Sequence, residues 1–327
     1  MLEHGGHIVQ AAQRYGIPIE HWLDLSTGIN PIGWPIPTPP ADIWRRLPES
    51  EDGLIAAAST YYCTSHLLAV AGSQAAIQIL PSLRATSRVG VLHPSYSEHA
   101  HAWRKQHQVV ALNTCDIDAA LDTLDVLLLC NPNNPSAQRI TPDTLRAWHA
   151  RLAARGGWLV VDEAFVDAEP LLSIIQHAGE PGLIILRSLG KFFGLAGARV
   201  GFVAAWPALL AQIQDQLGPW TISGPARWVA QGALQDQVWQ AHARAHLPVA
   251  SARLASLLTQ HGLAPDGGTA LFQWICTTRA AALHDALARQ GILTRLWQEP
   301  ASLRFGLPGV EEEWMRLKTA LEKQSCA

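Results

Sequence analysis

The chain has 327 residues, 48% of them hydrophobic, which is enough to bury one large and one smaller core. Charged residues make up 16% and the formal net charge is -3, so there is no basic excess to bind nucleic acid or an anionic membrane surface. Five cysteines without a C-x-x-C pair, and no apolar run near the roughly 18 residues of a membrane helix, favour a reducing cytoplasm without metal or membrane partners.

The first predicted element is an extended segment, residues 30–40, which reads NPIGWPIPTPP. Proline has no amide hydrogen and clashes with the preceding turn, so this density of prolines precludes a helix. We therefore expect residues 1–40 to form an N-terminal arm that ends here.

Residues 41–219 alternate short aliphatic runs with stretches of helical spacing. The runs read LLAVAG, VGVLHP, VLLLCNP, GWLVVDEAF, GLIILRS and ARVGFVAA. Runs of this length that are apolar on both faces are typical of parallel strands covered by helices. The pattern predicts a large α/β domain with a mainly parallel sheet flanked by helices.

Past residue 219 the pattern changes. A long helical stretch over residues 224–261 is followed by LFQWICT, a helix around residues 280–290, and GILTRL. This mixed order predicts a smaller α+β domain over residues 220–327, together with the arm of residues 1–40.

Ligands of such sheets lie beyond the carboxyl ends of the strands, so the polar residues there are the candidates for chemistry. Lys191 lies three residues after the run LIILRS ends at Ser188, next to Phe192 and Phe193. Apolar neighbours disfavour an ammonium ion and favour the neutral amine, which attacks an aldehyde to form a Schiff base. Asp162 ends WLVVD, where a buried carboxylate is best stabilised by a cation such as a protonated ring nitrogen.

A third group of residues offers hydrogen-bond donors for a phosphate. Its members are Ser73, Gln74, Ser188 and Arg199. An aldehyde-capturing amine, a partner for a ring nitrogen and a phosphate site together indicate pyridoxal 5'-phosphate as the cofactor.

The motifs GSQ, PSY, NPNNPS, DEAF and SLGKFFGLAGARVG, in this order, resemble those of the fold-type I aminotransferases of the histidinol-phosphate branch. The resemblance covers nearly the whole chain. It implies that Lys191 binds the cofactor covalently, that Asp162 pairs with the ring nitrogen, that Asn134 binds the 3'-oxygen and that Tyr96 stacks on the ring. The same resemblance implies that Ser73, Gln74, Ser188 and Arg199 hold the cofactor phosphate, and that the protein is a homodimer.

Three departures from the family pattern bear on the site. Phe165 stands where a tyrosine is usual, so one donor to the 3'-oxygen is missing. NPSA, ending at Ala137, replaces the common NPTG and its glycine. Asp52 takes the position of a tyrosine that, in relatives, reaches the neighbouring subunit.

Four further phrases are similar to the branch of this family that decarboxylates O-phospho-L-threonine to (R)-1-amino-2-propanol O-2-phosphate in cobalamin biosynthesis. They are HGG, LDLSTGINPIGWP, DEAF and GPWTISGPA. This resemblance implies a phosphorylated amino acid as substrate, bound by Arg304 and Arg295, with His4, Gly5, Gly6 and Asn30 near its phosphate. Both arginines suit carboxylate or phosphate.

Four other interpretations remain. The first is an aminotransferase for histidinol phosphate or a related amino acid, which would use the same cofactor site. S-x-x-K at Ser188 to Lys191 also fits serine acyl enzymes, but S-D-N and K-T-G are absent from the sequence. GLAGARVG lacks the G-x-G-x-x-G spacing of a dinucleotide loop and precedes a strand. A non-catalytic protein with this fold would bind the cofactor without turnover.

Overall fold

A computed structural model describes residues 4–325, so Cys326 lies outside the described residues. The helices are α1 (Ile8–Tyr15), α2 (Leu54–Tyr62), α3 (Ser73–Ile79), α4 (Ser97–Trp103), α5 (Ile117–Ala120), α6 (Pro142–Ala153), α7 (Pro207–Leu217), α8 (Gly224–Gln235), α9 (Gln237–Gln260), α10 (Ala280–Ala288) and α11 (Glu311–Ser325). The strands are β1 (Leu23–Asp24), β2 (Leu67–Val70), β3 (Arg88–Leu92), β4 (Gln108–Leu112), β5 (Val126–Cys130), β6 (Trp158–Asp162), β7 (Leu183–Ser188), β8 (Gly201–Ala204), β9 (Gly267–Thr269), β10 (Phe272–Cys276), β11 (Ile292–Leu293), β12 (Arg295–Trp297) and β13 (Ser302–Gly306).

The largest sheet has seven strands in the order β2-β8-β7-β6-β5-β3-β4. Strands β4, β3, β5, β6 and β7 pair in parallel, and β8 runs antiparallel to both of its neighbours, β7 and β2. This arrangement confirms the predicted α/β fold with a mainly parallel sheet. The parallel carboxyl ends of β5, β6 and β7 therefore meet at one edge.

The central strands are apolar on both faces because both faces are covered. Every residue of β5 and β6 is buried, including the terminal Cys130 and Asp162. Polar and apolar residues do not alternate along such strands, as expected for a sheet that lies between two layers of helices. A polar side chain at the end of such a strand therefore stands at the rim of a large apolar core.

The chain divides into two compact units. The larger unit consists of residues 33–134 and 138–241, and it contains the seven-stranded sheet. Within the described residues, the smaller unit takes in the chain up to Ile32, residues 135–137 and the chain from His242 onward. Domain boundaries at residues 40 and 219 remain a prediction.

The smaller unit contains two small sheets. Strands β12, β13, β10 and β9 form an antiparallel sheet in that order, and β1 pairs in parallel with β11. The N-terminal segment therefore adds a strand to the C-terminal part of the chain, which agrees with the expected α+β character.

A divided helix and an edge strand are among the elements that differ from the sequence prediction. The helical stretch 224–261 consists of two helices, because the chain breaks at Asp236. The Asp236 carboxylate accepts hydrogen bonds from the Trp239 backbone N–H (2.9 Å) and from Trp34 Nε1 (3.0 Å), so it starts α9. Strand β4 was not predicted, since most of its residues are exposed or half-buried at the sheet edge.

None of the helices between residues 4 and 325 combines the length and the apolar character that crossing a bilayer requires.

Candidate active site

A cavity of about 140 Å³ in the larger unit opens at the carboxyl ends of the central strands. All the residues predicted to bind the cofactor line it: Ser73, Gln74, Tyr96, Asn134, Asp162, Ser188, Lys191 and Arg199. These residues lie far apart in sequence, and the parallel strand order brings them together. Phe165 and Cys130 line the same cavity.

Lys191 lies in the loop that joins β7 to the antiparallel strand β8. The loop is closed by a hydrogen bond from the Leu189 N–H to the Val200 carbonyl (3.1 Å), so both of its ends are fixed. The half-buried Lys191 places its Nζ 5.4 Å from the centre of the Phe165 ring.

The rings of Phe192 and Phe193 have a different role from the one that the sequence suggested. Both side chains are fully buried, and their rings pack on each other and on Trp239. They anchor the loop in the core. The apolar ring over the amine belongs to Phe165, which is distant in sequence.

Asp162 is 5% exposed and is held in one orientation by two hydrogen bonds. His99 Nε2 lies 2.8 Å from Oδ2, and the Ala164 N–H donates to Oδ1 over 3.0 Å. Burial opposes a charge on His99, but the hydrogen bonds with Asp162 and Cys130 raise its pKa to about 10. The Asp162 carboxylate therefore faces the buried His99 ring, whose raised pKa favours the protonated form.

The sequence analysis missed His99 and Cys130. Together with Asp162 they place one ligand atom each within 4.8 Å of one another, an arrangement that could also hold a metal ion. The signal for His99 was available, because it lies three residues after Tyr96 in a helical stretch, so the two side chains share a face. Their rings meet edge to face at 5.8 Å.

The predicted phosphate donors surround the turn between β2 and α3. Gly72 has a φ of 70°, and a Cβ atom there would lie 2.6 Å from Arg199 Nη2. Gly201 is equally restricted, since a Cβ atom would lie 2.6 Å from the Ser73 backbone nitrogen. Only glycine at these positions lets the Arg199 guanidinium and the turn come this close.

The Gln74 side chain makes contacts within the larger unit, and the prediction for Gln74 concerns its backbone N–H at the turn. Its Nε2 donates to Glu98 (2.7 Å), and its Oε1 lies 3.4 Å from the Tyr96 hydroxyl. The Gln74 side chain thus connects α3 to α4 and holds Tyr96 at the cavity.

Two of the three asparagines of NPNNPS make structural hydrogen bonds, and the third lines the cavity. Asn131 exchanges two hydrogen bonds with the Ile140 backbone, and Asn133 binds the Pro94 carbonyl and Ser95. Asn134 is half-buried and lines the cavity. Only Asn134 therefore has the position that a cofactor ligand needs.

A buried ionic cluster lies next to the cavity-lining residues in sequence. Arg187 precedes Ser188, and its guanidinium donates to Glu163, which follows Asp162, over 2.8 Å. The same guanidinium contacts Asp167, which also accepts from the Tyr61 hydroxyl (2.9 Å). These buried ion pairs tie the end of β7 to the segment that follows β6.

The smaller unit gathers the predicted substrate residues around the Ser26 carbonyl. Arg304 donates to this oxygen from Nη2 (2.6 Å), and the Gly6 N–H donates to Ser26 Oγ (2.8 Å). A Cβ atom on Gly5 would lie 2.4 Å from the same carbonyl, so glycine is required there. Arg295 is the cross-strand partner of Arg304.

Arg304 is 4% exposed, and Arg295 lies opposite it in the sheet. Burial and the positive charge of Arg295 lower its pKa to about 9, against a smaller opposing effect of Asp24. A bound anion would remove this cost.

His4 and Asn30 line two different cavities of the smaller unit. His4 and Arg295 line a cavity of about 560 Å³ in the smaller unit, together with His284. Asn30 is buried, accepts from the Ile32 N–H (3.0 Å) and lines another cavity of the same unit. The structure therefore brings Arg304, Gly5 and Gly6 to Ser26, and His4 and Arg295 share a cavity with Ser26. Asn30 lines a different cavity.

Asp52, which stands where relatives carry a tyrosine, forms a bidentate ion pair with Arg227, with Nη2 2.7 Å from Oδ1. The same Oδ1 also accepts from the Leu54 N–H (3.0 Å) and so starts α2. Asp52 is thus engaged within its own subunit.

Comparison with known proteins places these sites in context. A model of the family described as aminotransferase class I and II matches residues 48–325. A threonine-phosphate decarboxylase from Pseudomonas aeruginosa is 56% identical over 322 residues, which cover 98% of this chain and 97% of that protein. A threonine-phosphate decarboxylase from a Sinorhizobium species is 42% identical, with 98% of each chain covered. The crystal structure of histidinol-phosphate aminotransferase from Sinorhizobium meliloti in complex with pyridoxal-5'-phosphate superposes with a TM-score of 0.84 at 20% identity and covers 100% of this chain and 99% of that one.

Proposed function

The chain belongs to the aminotransferase class I and II family, and from this premise we propose that it is a pyridoxal 5'-phosphate-dependent lyase that decarboxylates O-phospho-L-threonine. The product is (R)-1-amino-2-propanol O-2-phosphate, an intermediate of cobalamin biosynthesis. The observation that carries the choice of substrate is the 56% identity to a threonine-phosphate decarboxylase over nearly the full length of both chains.

The residues at the larger unit's cavity fit the cofactor. An amine, a buried carboxylate and an arginine at a glycine turn line one cavity. The turn is shaped for close approach, since a Cβ atom on Gly72 would fill the space beside Arg199. In this proposal Lys191 holds the cofactor, Asp162 binds the ring nitrogen, and Asn134 and Tyr96 contact the ring. Ser73, Gln74, Ser188 and Arg199 hold the phosphate.

Pyridoxal phosphate supplies a conjugated ring that accepts the electron pair left at the substrate α-carbon. Asp162 and its partner His99 keep a negative charge at the position of the ring nitrogen, which stabilises the protonated ring. The Lys191 amine delivers the proton to the α-carbon after carbon dioxide has left.

The smaller unit supplies the anion-binding residues. Arg304 and Arg295 are adjacent cross-strand neighbours, so they can hold a carboxylate and a phosphate of one small molecule. Gly5, Gly6, His4 and Asn30 complete the phosphate site in this proposal. The arginines would bind and orient the substrate carboxylate, and the cofactor, when bound, would accept the electron pair of the bond between that carboxylate and the α-carbon.

An aminotransferase for histidinol phosphate is the second candidate, because it would use the same residues of the larger unit. The solved aminotransferase superposes well at 20% identity, which supports the shared fold. The 56% and 42% identities to two decarboxylases favour decarboxylation.

We also propose that the enzyme is a cytoplasmic homodimer. Support for the dimer comes from exposed apolar side chains of the larger unit, among them Leu47 (65% exposed) and Trp220 (60% exposed). The cytoplasm suits the free thiols of Cys63, Cys115, Cys130 and Cys276.

The deciding experiment measures carbon dioxide release from O-phospho-L-threonine by the purified holoenzyme. A parallel reaction follows turnover of histidinol phosphate with 2-oxoglutarate. We expect gas release that needs no oxoacid. Oxoacid-dependent turnover of histidinol phosphate without carbon dioxide release would instead identify an aminotransferase.

Borohydride reduction of the holoenzyme, followed by peptide mapping, tests the covalent attachment. The expected pyridoxyl label is on Lys191, and the matched variant Lys191→Ala should carry none. A label on another lysine would rule out the assigned role of Lys191.

A further inference from the structure

Two arginines face each other on one side of the four-stranded sheet of the smaller unit. Arg304 in β13 and Arg295 in β12 are cross-strand partners, so their side chains leave the sheet on the same face. Like charges in this position repel each other. Contacts with neighbouring groups must therefore offset the repulsion between the two guanidiniums.

Two aromatic rings lie against these guanidiniums. The Cζ atom of Arg304 is 5.0 Å from the centre of the Phe272 ring and 5.5 Å from that of Trp297. The Cζ atom of Arg295 is 5.0 Å from the same Trp297 ring. We call the set Phe272, Arg304, Trp297 and Arg295 the arginine ladder. Trp297 is its central ring, in contact with both cations.

Stacking of this kind fixes a guanidinium without using its hydrogen bonds. A ring attracts the cation through its face, whereas the N–H groups of arginine point outward in the guanidinium plane. The N–H edges can then bind carboxylate or phosphate oxygens in pairs. The hydrogen bond from Arg304 Nη2 to the Ser26 carbonyl fixes the rotation of that guanidinium.

We propose that Trp297 is a positioning residue that holds the Arg304 and Arg295 guanidiniums at a fixed separation and thereby selects small ligands that carry two anionic groups, a carboxylate and a phosphate ester. This inference rests on the proposed function, since it concerns how the substrate of that reaction is recognised. Trp297 acts through the arginines and has no part in bond breaking.

Kinetic constants of two matched variants test this role. We expect Trp297→Leu to raise KM for O-phospho-L-threonine about tenfold, equivalent to about 1.4 kcal/mol, because the cations lose their common ring. The kcat value should stay within about twofold, since the ring acts on binding alone. Trp297→Phe retains a ring face, so its KM should remain within about threefold of the wild type.

A purely structural role predicts a different pattern. It would lower kcat or the melting temperature of Trp297→Leu without a selective rise in KM. Either that pattern or an unchanged KM in a stably folded Trp297→Leu protein would overturn the proposal.

A double-mutant cycle asks whether Trp297 works through Arg295. In an Arg295→Gln background, Trp297→Leu should raise KM much less than it does in the wild type, because one of the two cations it holds is already gone. Fully additive effects on KM would contradict action through Arg295.

Titration with inorganic phosphate separates this proposal from the reaction itself. The holoenzyme is used, so that the bound cofactor fills its own phosphate site. We expect Trp297→Leu to bind phosphate about tenfold more weakly than the wild type. A wild-type protein that releases no carbon dioxide from O-phospho-L-threonine would refute the proposed function, whereas equal phosphate affinities in the two proteins would refute the role of Trp297.

Discussion

At the scale of single residues, the proposed chemistry of the larger unit assigns a central role to one buried carboxylate, Asp162. Asp162 has hydrogen bonds with His99 Nε2 and with the Ala164 N–H, so the protein itself orients both carboxylate oxygens. A preoriented negative charge costs no rearrangement when a cationic ring nitrogen arrives.

We expect Asp162→Asn to lower the rate of carbon dioxide release at least about 100-fold, because an amide cannot stabilise the protonated ring. Cofactor affinity, measured by equilibrium dialysis, should also fall. Asp118→Asn, at an exposed ion pair with Arg151, serves as the control and should keep wild-type activity. A rate for Asp162→Asn within tenfold of the wild type would refute this role.

The smaller unit should show a pH dependence of anion binding. Because the lowered pKa of Arg304 is about 9, the guanidinium is charged below that pH and loses its charge as the pH rises through it. Affinity for inorganic phosphate should therefore fall above pH 9, as measured by calorimetry of the holoenzyme. The Arg304→Gln variant should bind weakly with a flat profile, and a flat profile in the wild type would contradict the prediction.

Sequence reasoning found most of the cavity residues because each follows a recognisable strand. It missed His99, although that residue lies one helical turn past Tyr96, because the contact of His99 with Asp162 joins two segments that are distant in sequence. It also assigned the ring near the amine to Phe192 and Phe193, although Phe165 lies there. Both errors concern contacts between segments that are distant in sequence, which a local pattern does not reveal.

At the scale of elements, the segment after β5 carries backbone strain. Ala137 has a φ of 59°, in the left-handed region that favours glycine. A non-glycine residue in this conformation costs about 1–2 kcal/mol of stability. Substitution by glycine removes this cost, but the higher backbone entropy of glycine in the unfolded chain cancels part of the gain.

Ala137→Gly should consequently raise the free energy of unfolding by about 0.5–1 kcal/mol. Urea unfolding with tryptophan fluorescence measures the change. Ala154→Gly, at the ordinary helical end of α6, is the matched control and should lower stability. A loss of stability in Ala137→Gly would show that packing of the Ala137 Cβ atom contributes more free energy than the backbone strain costs.

The ionic cluster of Arg187, Glu163 and Asp167 connects two elements of the larger unit. Arg187 is 3% exposed, and burial raises the pKa of Glu163 despite the neighbouring guanidinium. Arg187→Leu should cost about 3–5 kcal/mol, because it leaves two carboxylates buried without their cation. The urea midpoint measures the loss, and Arg46→Leu at an exposed ion pair should leave that midpoint unchanged. A similar midpoint for both variants would mean that the cluster adds no stability.

The elements themselves were largely predictable, since buried parallel strands read as unbroken aliphatic runs. Strand β4 escaped because it lies at the sheet edge and buries little. The break at Asp236 escaped because the indole N–H that its carboxylate accepts comes from Trp34, far away in sequence. The local sequence pattern therefore identified the central strands, whereas the edge strand and the helix break depend on tertiary contacts.

At the scale of the whole molecule, the proposed homodimer can be tested through its exposed apolar surface. Trp220 lines a groove of about 350 Å³ with Pro48 in the larger unit. Trp220→Glu should shift sedimentation toward the monomer, because a charge is costly in a desolvated interface. Leu171→Glu, at a residue that is 93% exposed, is the control and should leave the assembly unchanged. An unaltered sedimentation profile for Trp220→Glu would place the interface elsewhere.

The loop from Leu189 to Val200 has a consequence for how such enzymes diversify. The loop connects the adjacent antiparallel strands β7 and β8, so Ser188, Lys191 and Arg199 belong to one continuous segment of the chain. Asp162 comes from a separate strand, and Arg304 comes from the other unit. In the proposed function this segment holds the cofactor and the arginines bind the substrate, so a substitution of the arginines can change substrate preference without changing the cofactor attachment.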